Sequence, residues 1–186
     1  MEKIKVLVLV GSLRKSSLSL KMAKSLIGIA PNVLNLEITE ICLPMYNEDL
    51  ETDTPPKEWH QFRENVKQAT AVLFITPEYN RSVPAVLKNA VDVGSAPDGK
   101  NAFAGKPAAI ISLSPGKMGA FGANHHLRQS LVFLNMPTMQ QPEAYISGSE
   151  SLFDVNGYIT NNDTFLYLAN FLKAFHNWIK LHTRMT

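Results

Sequence analysis

Two kinds of hydrophobic pattern alternate along the chain. Mostly apolar runs predict five strands, at residues 4–10, 33–41, 71–76, 107–114 and, more weakly, 143–147. The first, third and fourth runs consist almost entirely of Val, Ile, Leu, Phe and Ala, which is typical of strands buried on both faces of a parallel sheet. The second run alternates apolar and polar residues, so we expect it to lie nearer an edge of the sheet.

The segments between these runs have helical periodicity. They predict five helices, at residues 18–30, 54–69, 82–92, 120–134 and 162–182. In the first helix Leu20, Ala23, Ile27 and Ala30 are expected to face inward, and Ser82 is a candidate N-cap of the third. The alternation of strand and helix predicts a doubly wound α/β fold. A chain of 186 residues is expected to form a single domain over residues 1–186.

Composition narrows the possible partners and the cellular location. The chain has 18 Lys and Arg against 16 Asp and Glu, a net charge of +2, which predicts neither a nucleic-acid nor a membrane partner. The single cysteine, Cys42, cannot form an intrachain disulfide. No apolar stretch approaches a secretory leader or the roughly 20 residues of a membrane span. We therefore expect a cytoplasmic protein.

The loop after the first strand, "GSLRKSSLS", is rich in hydrogen-bond donors. A loop that leaves a strand and enters a helix offers free backbone N–H groups to an anion. Ser12, Ser16, Ser17 and Ser19 add hydroxyls, and Arg14 adds a charged donor. Neither G-x-x-x-x-G-K-[ST] nor G-x-G-x-x-G is present, so a terminal phosphomonoester is favoured over a nucleoside triphosphate or a dinucleotide. A capped helix with solvated serines remains the alternative.

Two further strand ends carry unusual segments. After the third strand, "TPEYNRSVP" predicts a turn whose backbone groups face the edge of a planar ligand, with Tyr79 nearby. The alternative is an ordinary turn from strand to helix. After the fourth strand, residues 112–129 contain three spaced glycines that allow the backbone to approach a flat ring. For His125 and His126 a structural or interface role is favoured over metal binding, because adjacent helical residues point in different directions.

The first two segments together resemble a known family. "GSLRKSSLS" followed by "PEYNRSVPAVLKNAVD" is similar to the patterns of the NADPH-dependent FMN reductases, which include quinone, azo-dye and chromate reductases. The resemblance runs from the first strand to about residue 130. It implies a flavodoxin-like three-layer sandwich, with a five-stranded parallel sheet in the order 2-1-3-4-5 and helices on both faces. It also implies a non-covalently bound FMN and NAD(P)H as co-substrate.

The resemblance also implies which residues bind the cofactor. The predicted FMN-binding residues are Ser12, Leu13, Arg14, Ser16, Ser17, Ser19, Pro77, Glu78, Tyr79, Asn80, Ser82, Ser114 and Gly116. Within this set the first loop would bind the phosphate, the second would follow the ribityl chain and the ring, and the third would lie at the pyrimidine side. Two departures from the family pattern are Ser19, where Asn is usual, and Val93–Gly94, where an aromatic residue is common.

The implied activity is hydride transfer from NAD(P)H through FMN to a small-molecule acceptor: a quinone, an azo compound, a flavin or a metal oxyanion. We expect no catalytic side chain and no metal, because the cofactor carries the chemistry. The first alternative is a flavodoxin-like electron carrier, although such carriers are usually markedly acidic. A more distant one is a sugar-phosphate or nucleotide-binding protein without flavin. A homodimer or homotetramer is expected, with Phe121, Phe133 and Trp178 either at subunit contacts or in the core.

Overall fold

The computed structural model of the protein describes residues 3–183. Its strands are β1 (Ile4–Val10), β2 (Leu34–Ile38), β3 (Ala71–Thr76), β4 (Ala108–Leu113) and β5 (Ala144–Ile146). Its helices are α1 (Leu18–Ile29), α2 (Lys57–Gln68), α3 (Ala85–Ser95), α4 (Phe121–Phe133) and α5 (Asn162–Thr183), with a 3₁₀ turn at Glu48–Leu50. Within the described residues, no helix combines the length and the apolar character needed to cross a membrane.

The five strands form one parallel sheet in the order β2-β1-β3-β4-β5. This confirms the predicted order and places β2 at an edge, as its alternating pattern indicated. The chain winds outward in both directions from the pair β1 and β3. In sheets of this kind, ligands bind at the carboxyl ends of the strands, where the winding reverses. The functional site is therefore expected where β1 and β3 end.

Helices cover both faces of the sheet and bury two hydrophobic clusters. Successive residues of a strand point to opposite faces, so Val8 joins one cluster while Leu7 and Leu9 join the other. The first cluster contains residues of α1 and α5, such as Leu26 and Phe175. The second contains residues of α2, α3 and α4. These layers confirm the predicted three-layer sandwich.

The buried face of α1 differs from the prediction. Ile27 was expected to face inward, but it is 46% exposed. Ala23 is buried as predicted, but the other buried apolar residues are Met22 and Leu26. The buried polar residue Ser19 belongs to the same face, since positions 19, 22, 23 and 26 follow the i, i+3, i+4, i+7 spacing of a helix. The apolar residues alone therefore indicated a face that is rotated from the real one.

Residues 79–82 form a tight turn before α3. Tyr79 and Ser82 exchange backbone hydrogen bonds of 3.0 and 2.9 Å. Asn80 and Arg81 between them have φ values of 50° and 63°, the pattern of a type I′ turn. The prediction that Ser82 caps α3 is therefore wrong, because Ser82 closes this turn and the helix begins three residues later, at Ala85.

Candidate functional site

A cavity of about 310 Å³ lies where β1, β3 and β4 end; we call it the cradle. Nine of the thirteen predicted binding residues line the cradle: Ser12, Arg14, Ser16, Ser17, Ser19, Pro77, Glu78, Tyr79 and Ser114. The three segments that the sequence singled out therefore meet around one space. This volume is within the range of small-molecule sites in proteins.

The other four predicted residues do not line the cradle. Leu13 borders a neighbouring hollow of about 370 Å³. Asn80 is exposed in the type I′ turn, and Gly116 is exposed in the loop after β4. Ser82 borders a different cavity, where its Oγ lies 3.0 Å from Nδ1 of His126. The turn that closes on Ser82 directs it away from the strand ends.

The first loop combines a helix start with a cation. Ser17 is the N-cap of α1, and its Oγ accepts a hydrogen bond of 3.1 Å from the N–H of Leu20. The N–H groups of Ser16, Leu18 and Ser19 have no acceptor among residues 3–183. Arg14 is exposed beside them. Unpaired N–H groups and a positive side chain at a helix N-terminus favour an anion.

Glu78 connects the second segment to α4. One carboxylate oxygen accepts a 2.8 Å bond from Nη1 of Arg81, and the other accepts a 3.1 Å bond from the N–H of Ala123 in the first turn of α4. Gly122 permits this approach, because a Cβ there would lie 2.9 Å from Oε2 of Glu78 and 2.7 Å from the carbonyl oxygen of Arg81. Glu78, a residue of the cradle wall, thus joins the loop after β3 to the start of α4.

A buried polar network holds the third segment. The hydroxyl of Ser112 donates to the carbonyl of Gly119 at 2.8 Å and accepts a 3.2 Å bond from Asn124. Arg128 donates to the same Asn124 side chain at 3.0 Å. Gly119 itself has a φ of 56°, and a Cβ there would lie 2.6 Å from the backbone carbon of Tyr145. At Gly119, as at Gly122, the absent Cβ therefore makes room for protein backbone, whereas the sequence had indicated room for a flat ring.

The two adjacent histidines make separate contacts. Nε2 of His125 lies 3.0 Å from the hydroxyl of Tyr145, whereas His126 faces Ser82. Burial and, to a smaller extent, the negative charge of the nearby Glu143 raise the pKa of Tyr145 to about 12. Across residues 3–183, no group of three or more His, Cys, Asp and Glu side chains could hold a metal ion.

Five residues of the cradle wall were not predicted from the sequence: Leu18, Leu113, Pro115, Ser149 and Glu150. Ser149 and Glu150 come from the loop after β5, a strand that the sequence indicated only weakly. Ser149 is fully buried, and its Oγ has no hydrogen-bond partner among the described residues. The segment "GSE", which directly follows the strand predicted at 143–147, was the available signal, since β5 ends at the same edge of the sheet as β4.

A larger cavity, of about 600 Å³, lies between α3 and α4. Side chains of these helices, including Lys88, Asp92 and Phe133, form most of its lining. It does not include the loops at the ends of β1 and β4, and it has no helix start such as that of α1. The cradle is therefore the better candidate for a cofactor that carries a phosphate.

Comparisons with known proteins identify the family of the chain. The family model described as NADPH-dependent FMN reductase matches residues 4–151. A quinone reductase of Pseudomonas putida is 56% identical over 178 residues, which are 95% of each chain. A 2-hydroxy-1,4-benzoquinone reductase of Burkholderia is 40% identical over 95% of this chain and 97% of its own. The solved flavoenzyme FerB of Paracoccus denitrificans, an NAD(P)H:(acceptor) oxidoreductase, superimposes with a TM-score of 0.90 at 40% identity, covering 96% of this chain and 98% of its own. The chain belongs to the NADPH-dependent FMN reductase family.

Proposed function

We propose that this protein reduces quinones, using electrons from NAD(P)H and an FMN bound in the cradle. The family establishes an oxidoreductase with FMN as cofactor and NAD(P)H as electron donor. The identity of the acceptor, a quinone, is what we propose beyond this. It is supported by relatives named quinone reductase, at up to 56% identity across nearly the whole chain.

The lining of the cradle fits FMN on two observations. The free N–H groups at the start of α1, together with Arg14, suit a doubly charged phosphate. The buried hydroxyl of Ser149 has no partner within the described part of the chain, as expected for a group that a ligand satisfies. We therefore assign the phosphate to the first loop, and the ribityl chain and ring to the wall formed by Pro77–Tyr79 and Ser114.

The protein contributes position and electrostatics to the reaction. Bound FMN would supply the redox chemistry, accepting a hydride from NAD(P)H and passing two electrons to the acceptor. The link from Glu78 to Ala123 and the network around Ser112 keep the second and third loops in place. No side chain of the cradle is assigned a proton-transfer role.

The hollow beside the cradle is a suitable place for a flat apolar acceptor. Its lining includes Leu13, Pro84 and Val86, and it shares Arg14 and Tyr79 with the cradle. Apolar side chains with few polar groups are typical of sites for aromatic ligands. A quinone bound here would lie next to the cofactor site. A polar acceptor such as chromate would bind less favourably to this apolar surface.

The proposal is tested by the visible spectrum and by anaerobic mixing. We expect the purified protein to be yellow, and its flavin absorption to bleach on mixing with NADPH or NADH and to return when a benzoquinone is added. A flavodoxin-like carrier would keep its flavin oxidised in the presence of either nicotinamide nucleotide. Protein that stays colourless after incubation with FMN would contradict the proposal.

We also propose that the chain forms one domain and assembles into a homodimer or homotetramer through α4. Phe133 is 89% exposed, and the adjacent Val132 is exposed as well. Apolar side chains exposed together often mark a contact with another subunit. Phe121 is partly exposed on the same helix. Trp178 instead packs within the chain, where its Nε1 donates to the carbonyl of Pro137 at 2.7 Å. Light scattering should give a dimer or larger for the native protein and a smaller species for Phe133→Lys.

A further inference from the structure

The hydroxyl of Ser149 is the only fully buried side-chain nitrogen or oxygen among residues 3–183 without a hydrogen-bond partner. Native proteins satisfy nearly all such groups, because a buried donor that loses water and gains no partner is unfavourable. Ser149 is also a residue of the cradle wall. An unsatisfied donor beside a ligand cavity indicates a contact that forms when the ligand is present.

The loop at residues 147–161 brings Ser149 to the cofactor site. The N–H of Ser149 donates to the carbonyl of Ser114 at 3.1 Å, which ties the loop to the end of β4. Further along, the hydroxyl of Ser25 in α1 donates to the carbonyl of Gly157 at 3.0 Å. The loop is therefore anchored to β4 on one side and to α1 on the other, and it forms a wall between them.

We propose that Ser149 is an FMN-binding residue, whose hydroxyl donates a hydrogen bond to an oxygen of the ribityl phosphate chain. This inference rests on the proposed function of the cradle. The ribityl phosphate chain carries the hydroxyl and phosphate oxygens of FMN. It is also the flexible part of the cofactor, so it can adapt to a donor on the wall. The neighbouring Glu150, when ionised, offers only acceptors, which leaves Ser149 as the side-chain donor on this part of the wall. Because this hydroxyl is fully buried, the proposed contact requires rotation about the Cα–Cβ bond of Ser149 when FMN binds.

The proposal predicts different effects on the apoprotein and on FMN binding. Since the Ser149 hydroxyl has no hydrogen-bond partner among residues 3–183, Ser149→Ala removes an unfavourable group and should leave the thermal midpoint of the apoprotein unchanged or higher. With FMN present the same change removes one hydrogen bond, and the dissociation constant should rise about threefold to tenfold. The first is measured by thermal unfolding without flavin, and the second by quenching of flavin fluorescence during titration.

Ser151→Ala is the matched control. Ser151 lies in the same loop, is exposed, and already donates its hydroxyl to the carbonyl of Gly148 at 3.0 Å. Its replacement should change the FMN dissociation constant by less than about twofold. An unchanged dissociation constant in Ser149→Ala would overturn the inference, as would a lower apoprotein midpoint with unchanged FMN affinity. If the wild-type protein bound no FMN, the proposed function itself would fail.

Discussion

Replacement of Glu78 tests how the loops of the site are held together. The Glu78 side chain is 11% exposed, and its carboxylate makes two bonds of different kinds. One joins the N–H of Ala123 at the start of α4, and the other joins Arg81, whose side chain is 73% exposed. The two bonds are therefore expected to differ strongly in their contributions to stability.

The magnitudes follow from these environments. An exposed ion pair contributes roughly 0–1 kcal/mol, so Arg81→Ala should cost little. A hydrogen bond to a charged group contributes about 1.5–3 kcal/mol, and Glu78→Ala also leaves the N–H of Ala123 without its partner. We expect Glu78→Ala to lower the free energy of unfolding by about 2–3 kcal/mol. Glu78→Gln, which keeps an acceptor for Ala123 and loses the charge, should lower it by about 1 kcal/mol.

Urea unfolding of the apoprotein, followed by circular dichroism, measures these differences directly. In thermal scans, Glu78→Ala should lower the midpoint by roughly 4–12 °C, because 1 kcal/mol corresponds to about 2–4 °C in a chain of this size. Equal losses for Glu78→Ala and Arg81→Ala would show that the ion pair stabilises the turn. The reasoning from the helix start would then be wrong.

Three further changes test other parts of the structure. Ser17→Ala removes the N-cap of α1 and should lower apoprotein stability by about 1 kcal/mol in urea unfolding; no loss would contradict the capping geometry. Gly94→Ala should cost about 1–3 kcal/mol despite better helix propensity, because the new Cβ would lie 2.8 Å from Cζ of Phe103. Gly28→Ala in α1 is its control, with no atom within 4 Å of the added Cβ, and should gain up to about 1 kcal/mol. The pKa of Tyr145 is about 12 in the folded chain and 10 ordinarily, so Tyr145 ionises at lower pH in the unfolded chain. The free energy of unfolding should therefore fall as the pH rises from 10 to 12. In Tyr145→Phe it should fall less steeply.

The strands of the sheet and the layers around it could be predicted because hydrophobic patterns lie within single segments of the chain. Continuous apolar runs identified the buried strands, and the family resemblance gave their order. The first two segments also predicted most of the cradle. Short strands are harder to detect, and β5 has only three residues. The contribution of the loop after it, including Ser149, was therefore missed.

Other errors arose where a residue's role depends on a distant part of the chain. Serine is a common residue at helix N-caps, but Ser82 closes a type I′ turn and its hydroxyl faces His126 of α4. Gly119 and Gly122 have the spacing expected around a flat ring, yet Gly119 lies against the backbone of β5 and Gly122 against the turn at Arg81. These neighbours could not be predicted, because the sequence alone does not show which distant segments come into contact.

The account depends most directly on the assignment of the FMN phosphate to the first loop. The decisive measurement compares dissociation constants for FMN and riboflavin in the wild-type apoprotein and in the combined Ser12→Ala and Arg14→Ala variant. We predict that the wild type binds FMN far more tightly than riboflavin, and that the variant loses about tenfold or more of that preference, as expected for a charge-assisted bond. A variant with an unchanged preference for FMN would contradict the account and place the phosphate elsewhere.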